Sequence, residues 1–196
     1  MGKEAFPDTH HSHSENTYLG FWIYLMTDLI MFATFFAVYG VVRNNTFGGP
    51  SAKDILDLSY GLVETLVLST SSFVCALGLR AALTNQKQKM ISLFGLTFLL
   101  GITFLTMVGF ELTHIVQSGY SWEMSAFLSS YFTLMGTHAA HIVIGLIFMA
   151  VFVAQVGFWG LTDVTKKRMT TLSMFWFFSY IVWIFMYTIV YLIGAQ

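Results

Sequence analysis

The chain has 196 residues, a net charge of -1 and one cysteine; 56 % of its residues are apolar and 10 % are charged, against about 25 % charged in a soluble domain. That composition excludes a soluble α/β enzyme and gives no basic footprint for nucleic acid, so no nucleic-acid partner is expected. Cys75, alone, can form neither an intrachain disulfide nor a thiolate metal cluster.

Residues 1–18, MGKEAFPDTHHSHSENTY, are polar and read as a disordered tail, with His10, His11 and His13 solvated rather than gathered on a metal. Five long apolar runs follow, at residues 19–42, 60–83, 91–116, 124–158 and 170–193. About 20 apolar residues in a helix cross a hydrocarbon core of about 30 Å. The chain therefore reads as an all-α membrane protein, a bundle of five transmembrane helices, with residues 19–196 as one transmembrane domain. The first run is too long for a signal-peptide core, and no small-residue cleavage site follows it. Pro7 and Pro50 fall outside the runs, so no proline kink is predicted, and nothing suggests the interrupted helices of a transporter.

Charge sets the orientation. Lys3, Arg80, Lys87, Lys89, Lys166, Lys167 and Arg168 share one side of such a bundle, while only Arg43 and Lys53 lie on the other. The excess of Lys and Arg marks the cytoplasmic side, which predicts a cytoplasmic N-terminus and a periplasmic C-terminus. Tyr18, Trp22, Tyr120, Trp122 and Trp159 sit near the predicted ends of spans, as aromatic belts do.

Two stripes of small residues stand out. Thr65, Ser69, Ser72 and Ala76 lie along one side of the second span; Ser125, Ser129, Thr133, Thr137, His141 and Gly145 recur every four residues in the fourth. Small and hydroxyl side chains let membrane helices approach closely, so both stripes are predicted to be packing seams. Ionisable groups inside spans are costly and mark candidate functional positions. There are six: Asp28, Glu64, Glu111, His114, His138 and His141. At about 1.5 Å per residue, Asp28 falls in the inner half, His138 and His141 near mid-depth, and Glu64, Glu111 and His114 in one outer layer where they are expected to share a polar contact. Glu111-x-x-His114 has the spacing of carboxylate di-iron bundles, but those need two copies. His138-x-x-His141 lacks a facing histidine at its own depth. The six are expected to be buried polar groups that structure the bundle or contact lipid or other subunits. No catalytic, cofactor or metal residue is assigned among them.

Several segments then carry a resemblance. Gly20-Phe-Trp-Ile-Tyr-Leu-Met-Thr-Asp28-Leu-Ile-Met-Phe32, Gly49-Pro50 with Val63-Glu64-Thr65 and Ser71-Ser72, Gly136-Thr137-His138-Ala-Ala-His141-Ile-Val-Ile-Gly145, and Phe175-Trp176 through Val182-Trp183 to Val190-Tyr191-Leu-Ile-Gly194 occur in order. Over residues 19–194 the chain resembles subunit III of haem–copper terminal oxidases, in its cytochrome bo-type ubiquinol-oxidase branch. That branch has five helices where the cytochrome c branch has seven, and the orientation read from charge is the one the family uses. The family's last helix usually reads Phe-Trp-His-Phe-x-Asp-Val-x-Trp; here Phe177 and Tyr180 stand at the His and Asp positions.

The resemblance implies a non-catalytic subunit of a bacterial inner-membrane respiratory complex that oxidises ubiquinol, reduces dioxygen to water and translocates protons. The haems and copper would lie in subunit I, with none in this chain. The implied partners are oxidase subunits I, II and IV and membrane phospholipids; the implied role is support of stability, lipid binding and proton uptake. The alternatives are a subunit III-like accessory protein of nitric oxide reductase, a small membrane transporter or channel, and a stand-alone membrane cytochrome.

Overall fold

The computed structural model describes residues 13–46, 48–49 and 51–194, the side chains of residues 13–17, Asp54 and Trp159 excepted. Most of the expected tail (residues 1–12, with His10 and His11), Pro50, and the His13 and Trp159 side chains lie outside the described residues. The helices are α1 (His13–Val42), α2 (Ala52–Ile55), α3 (Leu58–Leu83), α4 (Lys87–Gln117), α5 (Ala126–Trp159) and α6 (Asp163–Met186); α6 runs on into a π-helical segment, Tyr187–Leu192. Five of them are long and apolar enough to cross a membrane, and no strand occurs among the described residues. The five-helix expectation therefore holds. Helical backbone begins at His13, which places residues 13–18 of the expected tail on the first helix.

The last span is the largest boundary difference. It was expected from residue 170, whereas α6 begins at Asp163. The Thr162 side chain accepts from the Thr165 amide and the Thr165 hydroxyl accepts from the Thr162 amide, a reciprocal cap that satisfies two free N–H groups at the start of a helix. Lys166, Lys167 and Arg168 are therefore helical, not in a loop: charge ends an apolar run without ending a helix. Lys87 and Lys89 sit likewise in the first turn of α4. At 31 residues, α4 is about 46 Å long, longer than the hydrocarbon core, a mismatch that tilt accommodates.

Short links hold neighbours antiparallel. Residues 84–86 join α3 to α4 through Asn85 at φ 59, and Ser125 caps α5 by accepting from the Leu128 amide at 3.1 Å. Helix α6 lies against α1, α3 and α5, and α1 rests on α5 and α6. Trp176, Trp183, Met186 and Tyr191 of the last span are fully buried. The Trp176 ring fits where α4 and α5 carry glycine: a Cβ on Gly101 would lie 2.9 Å from it, and one on Gly145 3.1 Å.

The two small-residue stripes differ. On α3 the seam is real and faces α6. Trp183 Nε1 donates to Thr65 Oγ1 at 3.0 Å, the Ser69 hydroxyl donates to that of Tyr180 at 3.2 Å, and Trp176 Nε1 donates to Ser71 Oγ at 3.2 Å. Ala76 is exposed and takes no part. On α5 the expectation is corrected. Only Ser125, as the cap, and Gly145 are buried, while Ser129 and Thr133 are exposed. The Thr133 and Thr137 hydroxyls donate to the carbonyls of Ser129 and Thr133, one turn back. Thr65 and Ser69 on α3 bond their own helix in the same way; what differs is the face, since Ser129 and Thr133 look outward while only the His141–Gly145 end of the α5 stripe meets α1 and α6.

Candidate functional site: two buried polar clusters

The first cluster joins α1 to α5. Asp28, 8 % exposed, places Oδ2 3.3 Å from His141 Nε2. The other imidazole nitrogen, Nδ1, lies 2.8 Å from the Thr137 carbonyl oxygen, which can only accept. Both nitrogens thus face oxygens, and Tyr24 is the second polar neighbour of Asp28. Phe32 and Phe175 flank the His141 ring, with centroids at 5.1 and 6.2 Å. The pairing brings together two residues that sequence reasoning placed at different depths. Removing one partner would leave the other unpaired in a low-dielectric medium, which is costly.

His138, one turn away, is buried, and neither ring nitrogen has a hydrogen-bond partner among the described residues. It sits among Trp183, Phe104 and Phe32, with centroids at 5.3, 6.0 and 6.3 Å. Its surroundings supply aromatic faces and edges rather than a second ligand.

The second cluster lies toward the other end of the bundle, where all five spans contribute a polar side chain: Tyr39 from α1, Glu64 from α3, Glu111 from α4, Tyr131 from α5 and Tyr191 from the π-helical segment. The Tyr191 hydroxyl donates to Glu111 Oε2 at 2.6 Å. Its ring lies against Gly61, where a Cβ would sit 2.8 Å from it. Glu64 is completely buried, and neither of its carboxylate oxygens has a partner among the described residues. Glu64 and Glu111 are near enough for their charges to act on one another, with no hydrogen bond joining them. His114 does not join them: it is exposed and lines a surface cavity of about 630 Å³ with Asp57, Tyr60, Phe110 and Glu111. Glu111 alone borders both the cavity and the buried cluster.

Tyr39, Tyr131 and Tyr191 were missed by sequence reasoning, which tracked charge. The available signal was a phenol inside an apolar run, since a buried Tyr hydroxyl usually finds a partner. At the positions where the last helix departs from its usual motif, Tyr180 bonds Ser69 and Phe177 packs against the core. Among the described residues, no group of three or more His, Cys, Asp or Glu side chains is arranged to hold a metal ion.

Comparison with known proteins gives one family. The model of the family described as cytochrome c oxidase subunit III matches residues 3–195. A cytochrome bo(3) ubiquinol oxidase subunit 3 of Pseudomonas aeruginosa is 47 % identical over 98 % of this chain and 93 % of its own length. One from Pseudomonas putida is 42 % identical over 94 % and 89 %. A cytochrome c oxidase subunit 3 of Bacillus sp. (strain PS3) is 33 % identical over 92 % and 87 %. Aligned along nearly its whole length, the chain belongs to the cytochrome c oxidase subunit III family.

Proposed function

We propose that this chain is subunit III of a bacterial respiratory ubiquinol oxidase, a complex that oxidises ubiquinol, reduces dioxygen to water and translocates protons. The single observation that carries the reading is 47 % identity, over 98 % of the chain, to a subunit 3 of a cytochrome bo(3) ubiquinol oxidase. Its role is non-catalytic: the haems and copper belong to subunit I, and this bundle supports the stability, lipid binding and proton uptake of that subunit. Subunits I, II and IV and membrane phospholipids are its partners, in the bacterial inner membrane. Six of the eight Lys and Arg side chains among the described residues fall at the bundle end that carries the start of α1 and the α3–α4 and α5–α6 links, which supports a cytoplasmic N-terminus and a periplasmic C-terminus. Residues 1–18 serve as a polar N-terminal tail to the transmembrane domain at 19–196.

Within that role the six ionisable residues are structural. Asp28 and His141 fix α1 on α5, His138 fills the aromatic centre, and Glu64 and Glu111 anchor the second cluster. His114 faces outward to lipid head groups or a neighbouring subunit. Mild-detergent purification through a tag on this chain, followed by mass spectrometry and an optical spectrum, tests the assignment. The expected result is recovery with the other oxidase subunits and their haem bands. Recovery of the chain alone, carrying its own iron or copper, would overturn it.

A further inference from the structure

Helices α4 and α5 pack against each other, and a groove of about 150 Å³ opens between them. Its lining is apolar: Phe94, Gly95 and Phe98 from α4, and Met149, Ala150 and Val153 from α5. Gly95 keeps the slot open, since nothing lies within 4 Å of its would-be Cβ. One turn beyond Val153, the Gly157 carbonyl accepts from Lys87 Nζ at 3.0 Å. Lys87 is the first residue of α4, so its side chain reaches across the same seam and sets an ammonium over the end of the groove. Phe94 and Phe98 lie about 10–16 Å along α4 from it. An ammonium carries three donors, and Gly157 takes one. Lys87 is exposed and has no carboxylate partner among the described residues. The first turn of α4 adds no acidic residue, and no side chain caps it. Uncompensated positive charge therefore stands at one end of an apolar slot. An apolar helix of another subunit could fill the slot but would leave the ammonium unpaired. A zwitterionic lipid brings its own cation to its phosphate. A net-anionic lipid matches both ends: charge at the interface, hydrocarbon below.

We propose that the α4–α5 groove holds one acyl chain of a net-anionic glycerophospholipid whose phosphate is bound by Lys87. Lys87 sets the headgroup preference, and the missing side chain of Gly95 sets where the chain lies. The proposal deepens the lipid-binding role given above, and it takes from the proposed topology only the leaflet, which is the cytoplasmic one.

Photo-crosslinking of the complete complex, reconstituted in phosphatidylcholine bilayers, tests this. The probe is phosphatidylglycerol with a diazirine midway along one chain, and phosphatidylcholine with the same chain is the comparison. Peptides containing residues 94–98 and 149–153 are expected to be labelled about fivefold more by the anionic probe, the worth of one lysine near an anionic headgroup. Lys87→Gln should remove that preference and Lys87→Arg should keep it. Gly95→Leu fills the slot and should abolish labelling of both peptides by either probe. Equal labelling by the two probes in the wild type would overturn the proposal. So would a preference that survives Lys87→Gln, or unlabelled peptides because a neighbouring subunit covers the groove. Lys87→Gln also releases the Gly157 carbonyl; if it prevents assembly, competition in the wild type carries the test. Unlabelled phosphatidylglycerol must then displace the probe from those two peptides better than equal phosphatidylcholine does, and equal displacement overturns the proposal. The subunit assignment fails separately, by loss of copurification rather than by any change in labelling.

Discussion

Replacing Gly101 by alanine adds one carbon to the wall of the slot that holds Trp176. That carbon would sit 2.8 Å from Leu146 Cδ2 and 2.9 Å from the outer edge of the indole. The leucine methyl ends a flexible side chain and can rotate away. The indole cannot: it is fully buried, its nitrogen is bonded to Ser71, and Gly145 abuts its other side. The expected cost is that of an overpacked core, about 1–3 kcal/mol. Gly95 and Gly109 lie on the same helix with nothing within 4 Å of their would-be Cβ atoms, so alanine there should stay within about 1 kcal/mol of wild type. Thermal unfolding of the detergent-solubilised complex, followed through release of this chain, ranks the three variants. A Trp176→Phe background should shrink the Gly101→Ala penalty, because the clash partner is smaller, and a double-mutant cycle measures that coupling. Equal shifts for alanine at 101, 95 and 109, or a penalty unchanged by Trp176→Phe, would refute the slot as the reason for glycine.

Asp28→Asn removes the carboxylate opposite His141 and is expected to weaken the α1–α5 contact by about 1–3 kcal/mol. Sustained quinol-driven oxygen consumption should slow while the haem spectrum stays unchanged, and lost or shifted haem bands would refute the structural assignment. Ser71→Ala strands the Trp176 indole N–H, a loss of about 1–3 kcal/mol. Thr133→Val, on the exposed side of α5, should leave the unfolding temperature of the isolated chain within the scatter expected of a surface change, about 0.5 kcal/mol; comparable losses in the two would restore the α5 stripe as an internal seam. His114→Cys should react with a polar maleimide and Glu64→Cys should not, since one position is exposed and the other completely buried. Cross-linking between the two would contradict the separation.

The number, order and approximate limits of the spans were legible because a bilayer leaves few options. Backbone polar groups in lipid must bond internally, so a sufficiently long apolar run becomes a helix. The α3 hydroxyl stripe was legible for a related reason: small polar groups facing Trp and Tyr across a helix pair have a partner to bond. The α5 stripe was misread in its outer half because Ser129 and Thr133 lie on the exposed face of the helix, with no Trp or Tyr of another span opposite them among the described residues. The start of α6 was misread because Thr162 and Thr165 cap a helix well before the hydrophobic run begins.

Sequence by itself determined that this is a five-span membrane bundle with six costly ionisable side chains, since length and polarity are local properties set against a bilayer of fixed thickness. Tertiary structure alone decided which groups meet: Asp28 with His141, Tyr191 with Glu111, and Glu64 buried apart from His114. The rotation and tilt of each helix come from packing against its neighbours, through contacts such as Trp176 against Gly101 and Gly145. That information is spread over several spans, and no single span contains it.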